Sequence, residues 1–178
     1  MVNLAINGIG RIGKLVLKLL ISKNFNVKYL NELNGNTNSL IHSIEFDSIH
    51  GKWQANIEDG KDEIKIDGKS IKATFVENIN DLNLEDVDIM IDCTGVYKST
   101  AKLQKYFDKG VKKVIVSAPI NEDNIVNIAY GVNHKVYKPK EHNIITGASC
   151  TTNCIAPIIK VLHESIGINH GSITTIHN

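Results

Sequence analysis

Cys150 stands in the run Ala148-Ser149-Cys150-Thr151-Thr152-Asn153-Cys154, just past the short apolar segment Asn143 to Thr146. A thiol so placed can act as a nucleophile, because the thiolate is the reactive form and a helix N-terminus or an adjacent imidazolium raises its fraction. Near the start of the chain, Gly8-Ile9-Gly10-Arg11-Ile12-Gly13 fits G-x-G-x-x-G between an apolar segment and an amphipathic one. In that context Gly8 makes the tight turn, Gly10 lets the backbone approach a pyrophosphate, and Gly13 lets helix and strand pack closely. The helix start adds unpaired N–H groups and a partial positive charge for the phosphates. A glycine turn that holds a hydride acceptor and a cysteine that converts an aldehyde into a hydride donor together read as an enzyme.

A dinucleotide site of this kind needs an acidic residue about 20 positions further on, at the end of the second strand, and Glu32 is there. Its carboxylate can accept bonds from the adenine-ribose hydroxyls and would repel a 2′-phosphate. Leu33-Asn34-Gly35-Asn36 supplies no Arg or Lys to neutralise one, so NAD is favoured over NADP. The base that would serve the cysteine is harder to find. His42, His50, His134, His142, His163, His170 and His177 compete, and spacing does not choose among them. His177 is attractive because it ends the alternating segment Ile173-Thr174-Thr175-Ile176. Cys93 and Cys154 read as small packed cysteines. No second Cys or His pair at zinc-site spacing accompanies Cys150-x-x-x-Cys154, so no metal is expected.

The elements that must position these residues alternate strand with helix. Val2 to Asn7 is a strand, and Arg11 to Ser22 a helix with Ile12, Leu15, Val16, Leu19 and Leu20 on one face. Val27 to Asn31 is the next strand, and Thr37 is placed to cap a helix that groups Leu40, Ile41 and Ile44. From Lys52 to Val76 short alternating segments separated by Asp59-Gly60 and Asp67-Gly68 predict an antiparallel excursion with positive-φ turns. Parallel-strand texture returns at Asp88 to Asp92, Lys113 to Ser117, Ile125 to Gly131 and Asn143 to Thr146, with a Ser99/Thr100-capped helix ending at Gly110. Ile155 to Ile166 is helical up to Gly167, with a start left open by Pro157, and Ser172 to Ile176 reads as a further strand. The fold class is therefore α/β, a Rossmann-type doubly wound, mostly parallel sheet with an antiparallel hairpin excursion. Its ligands belong beyond the carboxyl ends of the strands, where Gly8, Glu32, Thr94, Ser117 and Cys150 all fall.

The 178 residues, 42% hydrophobic, suffice for one domain with a real core. Twenty basic and 19 acidic residues without a like-charge block exclude a nucleic-acid arm, and pairs such as Lys112-Lys113 read as solvated ends. No apolar run is long enough to span a membrane. Three cysteines without a charged-then-apolar leader point to a reducing cytoplasm. The stop at His177-Asn178 in mid-strand points to a truncated chain.

The motifs Asn7-Gly8-Ile9-Gly10-Arg11-Ile12-Gly13, Phe46-Asp47-Ser48-Ile49-His50-Gly51, Thr94-Gly95, Ser117-Ala118-Pro119, Gly131-Val132-Asn133, Ala148 to Cys154 and Thr174-Thr175-Ile176-His177 closely resemble phosphorylating glyceraldehyde-3-phosphate dehydrogenases. The resemblance implies an NAD-binding Rossmann domain over residues 1–149 and the beginning of an incomplete catalytic domain over 150–178. It implies a glycolytic enzyme with Cys150 as nucleophile, His177 as base, and Ser149 and Thr151 beside the thiol as contacts to glyceraldehyde 3-phosphate or inorganic phosphate. Arg11 and Ile12 resemble a pyrophosphate-binding pair; Thr94, Gly95 and Ser117 resemble the lining of the ribose–nicotinamide groove. A cytoplasmic homotetramer is implied for the full-length protein. Glu32 stands where the family usually has Asp and resembles the erythrose-4-phosphate dehydrogenase branch. Asn78 takes the place of a frequent Arg near the adenine, Gly147 that of an Asn, and Cys93 that of a Ser. Semialdehyde dehydrogenases, which share Cys-Thr-Thr, resemble G-x-x-G-x-x-G more than this glycine turn. A non-catalytic NAD-binding fragment is the alternative of a different class.

Overall fold

The computed structural model describes residues 1–176. Its strands are β1 (Asn3–Asn7), β2 (Asn26–Asn31), β3 (Phe46–Asp47), β4 (Gly51–Lys52), β5 (Ile57–Asp59), β6 (Glu63–Ile66), β7 (Lys69–Thr74), β8 (Ile89–Asp92), β9 (Lys113–Val116), β10 (Val126–Asn127) and β11 (Ile144–Thr146). The α-helices are α1 (Arg11–Ser22), α2 (Thr37–Glu45), α3 (Thr100–Asp108) and α4 (Cys150–Ile166). Nine strands form one sheet in the order β10-β11-β9-β8-β1-β2-β7-β6-β5, and β3 pairs with β4 in a separate hairpin. The seven strands from β10 to β7 run parallel, while β6 is antiparallel to both its neighbours.

Strand alternation sorts the core onto the two faces of this sheet. Ala5, Met90 and Val114 face one cluster, closed by Leu103 and Tyr106 of α3. Ile6, Leu30 and Ile91 face the other, closed by Leu17 of α1 and by Leu40 and Ile44 of α2. Both faces of the central strands are covered, which is why their sequences are near-continuous apolar runs.

Several boundaries differ from the sequence expectation for physical reasons. The buried stripe of α1 is Gly13, Leu17 and Ile21, while Ile12 and Leu19 are exposed. A helix apolar on several sides does not reveal its own phase; Gly13 sets it, since a Cβ there would lie 1.9 Å from the Gly8 carbonyl oxygen. Asn36, rather than Thr37, caps α2, with its Oδ1 accepting from Ser39 N–H at 3.0 Å and Ser39 Oγ accepting from Asn36 N–H at 2.8 Å. Asp67-Gly68 turns with positive φ at both residues, but in the Asp59-Gly60 loop the positive φ falls on Lys61. The strand expected over Ile125 to Gly131 is only β10, because the Asn127 side chain then bonds both N–H and C=O of Ile120 and the chain turns away. Lys112 pairs with Asp88, whereas Lys113 is partly buried and donates to the carbonyls of Pro139 and His142.

Helix α4 starts at Cys150 and carries Pro157 in its interior. None of its residues is buried, so Cys154 is exposed instead of packed. Residues 172–176 form no strand and are exposed; among the described residues no strand pairs with them, and alternation alone cannot make a ladder.

Candidate active site

The sheet order reverses around β1, so β2 and β8 diverge from it and leave a crevice at the carboxyl edge, the place where open α/β sheets hold ligands. A cavity of about 300 Å³ opens there, lined by Asn7, Gly8, Gly10, Asn31, Glu32, Leu33, Asn34, Val76, Glu77, Cys93, Thr94, Val96 and Tyr97.

The glycine turn has the shape a pyrophosphate needs. Gly8 has φ +87°, and a Cβ on it would meet the Cys93–Thr94 backbone at 2.8 Å, so the turn is pressed against the end of β8. A Cβ on Gly10 would meet no protein atom within 4 Å. Its glycine is therefore not required by packing within the chain, and the space beside it is open to a ligand. No side chain caps α1 and no acidic residue lies in its first turn, which leaves its N–H groups and positive end toward an anion. Arg11 and Ile12 are exposed at that end.

Glu32 follows β2 and lines the cavity. Its Oε2 accepts from Ile9 N–H in the glycine turn at 2.7 Å, and Oε1 accepts from Leu33 N–H at 2.8 Å. The carboxylate thus ties the turn to β2 while facing the cavity. Asn78 is elsewhere: it caps the short 3₁₀ turn Ile79–Asp81, accepting from Asn80 N–H at 3.1 Å, and does not line the cavity. Gly95, with φ +71°, is exposed beside Thr94, and Ser117 follows β9. Burial pushes the Cys93 thiol up to about 11, against the opposing hydrogen bond of Ser117.

Cys150 is the first residue of α4 and is exposed. Ser149 is the N-cap: its Oγ accepts from Thr152 N–H at 3.0 Å and lies 3.1 Å from Thr151 Oγ1 and 2.7 Å from Thr152 Oγ1. The hydroxyls of Ser149 and Thr151 therefore flank the thiol in sequence and touch each other. Ahead of the helix, Ala148 is buried with φ 56°, a left-handed conformation uncommon for a residue with a Cβ, and its N–H donates to Thr146 Oγ1 at 3.1 Å. Asn153 Nδ2 donates to the carbonyls of Gly147 and Ser149, which fixes the turn from the other side.

The carboxyl ends of adjacent parallel strands line these groups up: Cys150 after β11, Ser117 after β9, Thr94 and Gly95 after β8, Gly8 after β1, Glu32 after β2. Four strand spacings, about 19 Å, separate the β2 and β11 ends. His177 lies outside the described residues. The cavity residues that sequence reasoning missed are Asn31, Leu33, Asn34, Val76, Glu77, Val96, Tyr97 and Cys93, the last read only as a packed cysteine. The readable signal was a polar residue closing an apolar strand, as Asn31 closes β2; the loop residues carried none.

This arrangement defines a dinucleotide-binding α/β protein with a helix-start thiol on the same sheet edge. The family model described as "Glyceraldehyde 3-phosphate dehydrogenase, NAD binding domain" matches residues 2–100, and that described as "Glyceraldehyde 3-phosphate dehydrogenase, C-terminal domain" matches residues 149–178. The chain belongs to the glyceraldehyde 3-phosphate dehydrogenase family, and its cofactor is NAD. It is 41% identical to glyceraldehyde-3-phosphate dehydrogenase 3 of Nostoc sp. over 99% of this chain and 53% of the relative. It is 40% identical to the glyceraldehyde-3-phosphate dehydrogenase of Thermotoga maritima over 100% of this chain and 54% of the relative. For the Pseudomonas aeruginosa enzyme of the same name the figures are 38%, 99% and 54%. The chain thus spans about half the length of the curated relatives it matches.

Proposed function

We propose that the intact protein oxidises glyceraldehyde 3-phosphate with NAD and inorganic phosphate, yielding 1,3-bisphosphoglycerate. The observation that carries this reading is the exposed Cys150 at a helix start on the same sheet edge as the Gly8–Glu32 cavity. Cys150 gives its thiol proton to His177 and the resulting thiolate attacks the aldehyde carbon; the N–H groups that open α4 ahead of its first intrahelical bond stabilise the oxyanion, which takes that proton back to become the thiohemiacetal hydroxyl. His177 removes the hydroxyl proton as C1 gives up its hydride. Bound NAD supplies the hydride acceptor for that oxidation. Cys150 is then held as a thioester, which phosphate attacks to expel the thiolate and carry away the acyl group. The Ser149 and Thr151 hydroxyls supply phosphate contacts beside the thiol. The cavity half of the site keeps the cofactor: the glycine turn and α1 take the pyrophosphate, Glu32 the adenine ribose, and Thr94, Gly95 and Ser117 the groove leading toward Cys150.

A cytoplasmic homotetramer with a role in glycolysis belongs to the same proposal, supported by the family. Turnover of the intact protein with glyceraldehyde 3-phosphate and erythrose 4-phosphate, each with NAD or NADP and with or without phosphate, tests it. Phosphate-dependent NADH formation from the triose is expected. Preference for erythrose 4-phosphate, as the glutamate at position 32 could favour, would move the substrate to the four-carbon sugar. Turnover that survives Cys150→Ser would sink the covalent mechanism.

A further inference from the structure

Behind the cavity wall a hydrogen-bonded chain runs across four strand ends. Tyr106, fully buried on α3, donates its hydroxyl proton to Asp92 Oδ2 at 2.7 Å and accepts from Asn7 Nδ2 at 2.7 Å. Asp92, also with no exposure, uses its other oxygen to accept from Thr94 N–H at 3.0 Å and Thr94 Oγ1 at 2.8 Å. On the other side Asn7 Oδ1 accepts from Asn31 Nδ2 at 2.8 Å. Asn31 in turn bonds the backbone of Val76 at both N–H and C=O and accepts from Thr74 Oγ1. Asn7, Asn31, Val76 and Thr94 all line the cavity, whereas Tyr106 and Asp92 do not.

A buried polar chain of this length is not needed to fill a core. Apolar residues of the same shape would do so without the cost of desolvating a carboxylate that has no cationic partner among the described residues. Its members instead end on the residues that shape the cofactor crevice. The backbones of β1 and β8 are already joined by their ladder and by Cys93 N–H donating to the Asn7 carbonyl at 2.7 Å. Among the described residues the Tyr106 hydroxyl adds a side-chain link from Asn7 to Asp92 and so to Thr94, and it comes from a helix outside the crevice.

We propose that Tyr106 is a positioning residue for the cofactor: its hydroxyl fixes the Asn7 side chain directly and Thr94 through Asp92, so that these two groups of the crevice wall keep one orientation toward the cofactor. Tyr106→Phe keeps the ring and its packing but leaves Asn7 Nδ2 and Asp92 Oδ2 without their partner. The backbone of β8 stays in its ladders, but the Asp92 carboxylate and the Thr94 hydroxyl bonded to it are then free to shift. The inference rests on NAD binding in this cavity.

The test is calorimetric NAD titration of the intact protein, far below its melting temperature, for wild type, Tyr106→Phe, Thr94→Val and the double variant. Tyr106→Phe should weaken NAD binding roughly tenfold, the scale of one lost hydrogen bond to a charged group. With Thr94 already Val, the same change should cost much less, because the hydroxyl acts through Asp92 on Thr94. Iodoacetamide alkylation of Cys150 without NAD should keep its rate in Tyr106→Phe. Unchanged NAD affinity in a folded Tyr106→Phe, or full additivity of the two substitutions, overturns the positioning role and leaves Tyr106 structural. If Tyr106→Phe does not fold, Asp92→Asn carries the comparison: it removes the charge that Thr94 and Tyr106 address and should couple to Thr94→Val in the same way, with additivity again overturning the role. Failure of wild type itself to bind NAD overturns the cofactor assignment and this inference with it.

Discussion

Gly10 and Gly13 belong to one motif and are glycine for opposite reasons. A Cβ at Gly13 would collide with the Gly8 carbonyl, while one at Gly10 would meet nothing of the protein. Gly13→Ala should therefore destabilise the fold by about 1–3 kcal/mol, as overpacking does, and weaken NAD binding as the turn is displaced. Gly10→Ala should keep the melting temperature nearly unchanged, since a cap position costs less than about 1 kcal/mol, yet lower NAD affinity by about tenfold or more. Thermal melts and NAD titrations of the two variants separate the cases; equal loss of stability in both would contradict the open space beside Gly10. Glu32 gives a second contrast. It already clamps Ile9 N–H, and a ribose bond to its charged oxygen adds about 1.5–3 kcal/mol of discrimination. NAD should be preferred over NADP by at least about tenfold in kcat/KM, and Glu32→Ala should narrow that ratio. Equal kcat/KM for the two cofactors in wild type would refute the assignment.

At the scale of elements, the β3–β4 hairpin is held to α1 by one carboxylate. Asp47 pairs with Lys14 at 2.6 Å and also accepts from the N–H groups of His50 and Ile49, and these contacts, Lys14 first, hold it well below the usual carboxylate range. A lowered folded-state value means that the stabilisation is complete above the unfolded value, near 4, and is lost as pH falls toward the folded one. Wild type should thus lose melting temperature between pH 5 and pH 2 more steeply than Asp47→Asn, which lacks the titrating group. Parallel pH profiles would remove Asp47 from the acid response. Strands β1, β2, β8, β9 and β11, the bounds of α1 and the Ser99 cap of α3 were legible in the sequence because the local pattern agrees with the tertiary structure there. What was not legible depends on contacts at a distance. The phase of α1 is set by the close approach of Gly13 to the Gly8 carbonyl, the brevity of β10 by the Asn127–Ile120 bonds, and the exposure of Cys154 by what does or does not cover α4. In the site, the glycine turn, Glu32 and Cys150 announce themselves by spacing, whereas Tyr106 is an aromatic at helical spacing whose hydroxyl matters only once α3 lies against β8.

For the molecule as a whole, burial divides the chain sharply. The sheet and its first three helices enclose two continuous cores, whereas α4 presents Ile158, Ile159, Val161, Leu162 and Ile166 at 37–80% exposure and buries nothing. An apolar helix face of that extent on a 178-residue polypeptide favours association, and backbone held only by intrahelical bonds opens at lower free-energy cost than backbone inside a core. Hydrogen exchange on the 178-residue polypeptide should therefore show strong protection in β1, β2, β8 and β9 and much faster exchange across residues 151–176. The same polypeptide should bind NAD, because the cavity lining from Asn7 to Tyr97 lies entirely within the protected part, yet give little turnover with glyceraldehyde 3-phosphate. Light scattering should show association that rises with concentration and falls when Ile158 and Leu162 are both replaced by Lys. Equal protection of both regions, together with turnover matching that of the longer relatives, would show that α4 needs no further cover and that this polypeptide is a catalyst on its own.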